Sequence, residues 1–164
     1  MGWAEMFRPG MRTYFIPFTA GLVLAASGFM PWVTVSGVSL RGFPDTLALW
    51  VVGLGAAASV LALLSLITRK NSRHPLLLVG LAALAVTVLC WRIMPPRVAE
   101  RALVRAQAVA IVDHTEVGDS PTATPGLGLS VGMAASGVIV LFGLTIVVRR
   151  ASTTYAVVET DDDV

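Results

Sequence analysis

Four stretches of this chain contain no Asp, Glu, Lys, Arg or His: residues 13–40, 46–68, 75–91 and 126–148. Crossing about 30 Å of hydrocarbon takes roughly 20 apolar residues wound as a helix, because a helix satisfies its own backbone hydrogen bonds where no water can. The pattern predicts an all-α membrane protein, a four-transmembrane-helix bundle with helices at about 14–30, 46–68, 75–94 and 126–148. Little of the chain is left to build a soluble core. Its 164 residues are 55% hydrophobic and 13% charged, against about 25% charged in a typical soluble domain.

Local signals sharpen the boundaries. Pro17 falls in the first turn of the first helix, where a missing N–H costs little, and Pro31 is expected to end that helix. Arg8 and Arg12 before an apolar run resemble the start of a signal peptide, and Leu24-Ala25-Ala26 a weak cleavage site. The apolar run continues to Val33, so the segment is expected to stay as a first helix. Trp3 and Phe7, four apart, are expected on the headgroup surface. Residues 31–45 form the first loop, whose runs Val33-Thr34-Val35-Ser36 and Val38-Ser39-Leu40-Arg41 alternate apolar and polar about Gly37, which predicts a small extended hairpin. Asp45 and Thr46 are suitable N-caps for the second helix.

A polar turn from Arg69 to His74 leads to Pro75, a favoured first helical residue. Pro95-Pro96 is expected to break the third helix. Beyond it, 97–112 has no Gly or Pro and reads as a short amphipathic helix in the loop before the fourth span. Its Arg97, Arg101 and Arg105 recur at i, i+4, i+8 and form one outer basic face, suited to anionic headgroups, an acidic partner or plain solvent. Residues 113–125 read as loop. Residues 1–150 thus form one transmembrane domain, and 151–164, with Glu159, Asp161, Asp162 and Asp163, an acidic cytoplasmic tail.

Charge sets the expected orientation. The side holding both termini would carry Arg8, Arg12, Arg69, Lys70, Arg73, Arg149 and Arg150. The other would carry Arg41, Arg92, Arg97, Arg101 and Arg105. Basic residues favour the cytoplasm, so both termini are expected there, in a cell inner membrane. Trp32, Trp50 and Trp91 lie near predicted helix ends and are expected as membrane-interface anchors.

The residue inventory argues against most chemistry. A net charge of +2 could suggest nucleic acid, but the basic residues sit in small groups beside apolar segments, as membrane proteins carry them. No nucleic-acid partner is expected. Cys90 is the single cysteine and reads as a buried packing residue, and with His74 and His114 it supplies no converging metal or iron–sulfur ligand set. Asp113, Glu116 and Asp119 lack the spacing and turn glycine of a calcium loop. No Ser/His/Asp set, carboxylate pair or phosphate-binding glycine loop can be assembled, so neither an enzyme nor a cofactor is expected.

What the helices do carry is small residues at helical spacing. Gly128, Gly132 and Ser136, with Gly143 a heptad on, mark the fourth helix. Gly53 with Ala57, and Gly55 with Ser59, mark the second, and Gly21 with Ala25 the first. Such stripes let helix backbones approach closely in lipid, either inside one bundle or against another subunit or a second copy. The intramembrane hydroxyls, such as Ser27, Ser59, Thr87 and Ser136, are expected to bond carbonyls of their own helices. Proton-coupled transport would want an intramembrane carboxylate, His or Lys, and the cores of the spans hold none.

At Phe29-Met30-Pro31-Trp32-Val33, then Val35-Ser36-Gly37-Val38-Ser39-Leu40, and again at Gly126-Leu127-Gly128-Leu129, the chain resembles small bacterial four-helix membrane proteins that leave the first helix through a Pro-Trp step. The likeness implies a topology and brings no activity with it. The four spans also resemble those of claudins, but the Trp and paired-Cys pattern of the claudin first loop is missing. The expected function is that of a non-enzymatic accessory, structural or assembly subunit of a larger membrane complex, whose partners are the lipid bilayer and other integral membrane subunits or itself. The alternative is a small self-associating channel or carrier.

Overall fold

The computed structural model describes residues 12–68, 73–114 and 120–153. Expectations for Trp3 and Phe7, for the basic turn at 69–72, for Glu116 and Asp119 and for the acidic tail from Thr154 lie outside those residues.

Helices make up most of the described chain. After a 3-10 turn at Arg12–Tyr14 come α1 (Phe15–Ser27), the strands β1 (Pro31–Val35) and β2 (Val38–Arg41), and α2 (Thr46–Thr68). Then follow α3 (Arg73–Asp113), β3 (Ala123–Pro125) and α4 (Leu127–Thr153). Among the described residues, three helical stretches are long and apolar enough to cross a membrane: Thr46–Thr68, His74–Asp113 and Leu127–Thr145. They fit a membrane protein. α1 is a shorter apolar helix of 13 residues, about 20 Å long.

Each helix end has a local cause. α2 begins where expected because Asp45 caps it: its carboxylate accepts the Leu47 N–H at 2.9 Å, and its carbonyl accepts the Leu49 N–H at 3.1 Å. α1 stops three residues short of the expected Met30. Residues 28–30 continue as a turn with bonds from Gly28, Phe29 and Met30 back to the carbonyls three residues earlier. Two carbonyls of this turn are then taken by later chain, Gly28 by the Phe43 N–H at 2.9 Å and Met30 by the Gly42 N–H at 3.2 Å. α4 runs past the basic pair Arg149-Arg150 to Thr153.

The expected break at Pro95-Pro96 is absent: α3 is continuous for 41 residues with both prolines inside. The two rings remove the N–H groups that would bond the Trp91 and Arg92 carbonyls, a local cost of ~3 kcal/mol or more. Packing on both sides holds the segment in line, because Met94 before the prolines and Val98 and Ala102 after them lie on the core. The separate amphipathic helix expected at 97–112 is therefore the far half of α3.

The expected hairpin forms. Val33 pairs with Leu40, Thr34 with Ser39 and Val35 with Val38, and the chain reverses at Ser36 (φ 47°) and Gly37 (φ 82°). Positive φ at both loop residues is the turn that matches strand twist, and glycine adopts it without strain. A third strand joins from far along the chain: β3 pairs antiparallel with β1, Val33 to Pro125 and Val35 to Ala123, in the order β2-β1-β3. This part of 113–125 was expected as loop. Its cause is pairing with β1, which three residues of Ala-Thr-Pro do not announce.

Candidate functional site

The small-residue stripes are where the helices meet. On α1 and α2, a methyl group placed on Gly21 would sit 2.5 Å from Ser59 Oγ and 2.8 Å from the Gly55 carbonyl oxygen. One placed on Gly55 would sit 2.5 Å from the Ala25 nitrogen. Backbone lies against backbone here, so nothing larger than hydrogen fits at either position. The Ser59 hydroxyl lies in this contact, 3.0 Å from the Gly55 carbonyl of its own helix and 3.3 Å from the Phe18 carbonyl across the seam.

The α4 stripe is also turned inward. Gly128 faces Trp32 and the Ser27 carbonyl, Gly132 faces Ser27 Oγ and the Thr87 methyl, and Gly143 faces Leu77 of α3. Ser136 is fully buried and donates to the Met133 carbonyl at 3.0 Å. The remaining buried hydroxyls behave alike. Ser27 donates to Leu24 at 2.7 Å, Thr87 reaches both Ala83 and Leu84 at 3.0 Å, and Ser65 donates to Leu61 at 2.9 Å. Each bonds a carbonyl one turn back on its own helix, as expected.

Trp32 closes the end of the bundle where the sheet sits. It was expected as an interface anchor, yet it is 1% exposed, which leaves no surface for headgroups. Its indole N–H donates to the Ser27 carbonyl at 2.9 Å, and its ring lies against Gly42 and Gly128, where a methyl group would come within 2.6 Å of it. The Gly126 N–H donates to the Trp32 carbonyl at 2.7 Å. One residue thus ties the end of α1, the hairpin and the start of α4. A buried indole finds a partner for its N–H, and the helix-end carbonyl five residues back supplies it. The signal available beforehand was the group of glycines at 42, 126 and 128. Of the other two tryptophans expected as anchors, Trp50 is 62% exposed and Trp91 is half-buried.

Two features remain outside these contacts. Gly53 is exposed with no atom within 4 Å of the place a side chain would take, and with Thr46, Leu49, Trp50 and Leu54 it lines an open apolar groove on α2. Ala57, one turn on, is half-buried. Arg97, Arg101 and Arg105 are exposed along the far half of α3, beside the sheet. Cys90 is buried and free. Among the described residues, no three His, Cys, Asp or Glu side chains gather as metal ligands. The arrangement offers surfaces for packing, with the buried polar groups already engaged. No protein-family model, no curated protein and no solved structure matches the chain.

Proposed function

We propose that the protein is an integral membrane subunit of the cell inner membrane that acts through helix–helix packing, as an accessory, structural or assembly component of a larger complex. In this reading all four helices cross the bilayer, α1 with the help of its flanking turns, and both termini lie in the cytoplasm. The observation that carries it is Gly53 on α2. With Ala57 it repeats the spacing used inside the bundle, but Gly53 looks outward onto an open groove lined by Thr46, Leu49, Trp50 and Leu54. In lipid such a face gains energy only from another helix coming close. The engagement of the buried hydroxyls with helix carbonyls favours this role over a self-associating channel or carrier.

Isolation from native membranes in mild detergent tests the proposal. A co-purifying membrane protein is expected, and its association should weaken when Gly53→Leu fills the groove. A stable monomer with no companion would count heavily against it. Reporter fusions should place both ends on the cytoplasmic side.

A further inference from the structure

α3 is the longest helix, and its 41 residues extend about 60 Å, roughly twice the thickness of the hydrocarbon layer. Past Pro96 it runs alongside the sheet, with Val98 and Ala102 on the core and Ala110 buried. The face turned away from the body carries Arg97, Arg101, Val104, Ala108 and Ile111, all exposed and separated by alternating steps of four and three residues. Val104 is 59% exposed, Ile111 74% and the adjacent Val112 76%. A 4-3 repeat on one helix face is the seam of a coiled coil, with Arg101 and Ala108 at a and Arg97, Val104 and Ile111 at d.

Charge complementarity names the occupant. In that register Glu100 is at g and Arg105 at the following e, five residues on, and both are exposed. In a parallel two-stranded coil, g of one helix meets the following e of the other. Glu100 of each copy would face Arg105 of its partner, with Arg101, at the neighbouring a position, close to the same carboxylate. Two copies inserted the same way in one membrane and related by a two-fold axis along its normal present their α3 helices parallel. We infer that the far half of α3 is a self-association surface, on which a second copy of this chain docks as a short parallel coiled coil through Val104, Ala108 and Ile111, locked by reciprocal Glu100–Arg105 pairs. The inference rests on the reading of α3 as membrane-spanning and is independent of any partner at the Gly53 groove. Arg97 at d and Arg101 at a each meet their own copy across the two-fold axis, so the coil is weakest at this end and rests on Val104, Ala108 and Ile111.

Oxidative crosslinking of the full chain in native membranes tests this. Ala108→Cys and Ile111→Cys should each give a disulfide-linked species of twice the chain's mass. Val109→Cys, exposed but off the seam, and the wild-type chain with its buried Cys90 should not. In the Ala108→Cys background, Glu100→Arg should lower the dimer yield by about threefold, and adding Arg105→Glu should restore it. Equal crosslinking on and off the seam, or no rescue by the charge swap, overturns the proposal. So does crosslinking to a chain of another mass, which would instead support the accessory reading. If one cysteine variant fails to accumulate, the other decides. Resistance of every variant to alkaline extraction from the membrane separates failure of this inference from failure of the membrane-spanning reading.

Discussion

α2 carries two stripes of small residues only two positions apart, and they meet opposite surroundings. Gly55 and Ser59 face α1 at backbone contact distance, while Gly53 looks out over an open groove and Ala57, one turn on, is half-buried. Two residues along a helix is a rotation of about 200°, so the stripes lie on nearly opposite sides. The same chemistry thus appears once with its partner in place and once without. A glycine stripe by itself therefore says how closely a helix can be approached and nothing about what approaches. The inward stripe also recruits a hydroxyl across the seam, Ser59 to Phe18, whereas the outward one is flanked by large exposed side chains, Leu49 and Trp50.

The comparison breaks most readily at Gly55. Gly55→Leu should abolish the folded bundle or cost upwards of about 4 kcal/mol, because the added atoms meet the Ala25 backbone, which cannot yield as a side chain does. Gly53→Leu should change stability by less than about 0.5 kcal/mol. Unfolding in mixed micelles checks both, and similar losses at the two positions would refute the inward–outward distinction. Trp32→Ala should follow at about 3–5 kcal/mol. Trp32→Phe keeps most of the apolar ring but removes the indole donor to the Ser27 carbonyl, which keeps its Met30 N–H, and should cost about 1–2 kcal/mol from the lost bond and the smaller ring. Asp45→Ala removes the α2 cap and should cost about 1 kcal/mol, with hydrogen exchange rising first at Leu47. Among the buried positions Ser59→Ala should be the mildest, about 0.6 kcal/mol, since the seam's close approach survives loss of its hydroxyl.

Much of the helical framework was legible because its signals are local. The charge-free run 46–68 coincides with α2, bounded by a side chain that can only be a good cap. Alternation around Gly37 gave the hairpin. The misreadings share a non-local cause. A Pro-Pro step ordinarily ends a helix, but here Met94, Val98 and Ala102 pack against the core on both sides of it and α3 stays whole. Ala123–Pro125 is a strand because β1 offers it an edge. A tryptophan after a predicted span defaults to the headgroup level, but Trp32 lies inside because glycines on two other segments make room for it. The stripes themselves were visible at once. Which face each one turned was not, since apolar residues surround every helix and amphipathicity gives no direction.

The pairing of β1 with β3 spans some ninety positions of chain, and this orders events during synthesis. When α1, the hairpin and α2 have left the ribosome, Trp32 has its Ser27 and Gly42 neighbours, but Gly126, Gly128 and β3 do not yet exist. The indole pocket stays open until the last helix arrives. Closing it is then a late, long-range step. A chain cut off before α4 would carry an uncovered aromatic ring and an unpaired strand edge, surfaces by which cellular quality control can tell a nascent copy from a finished one.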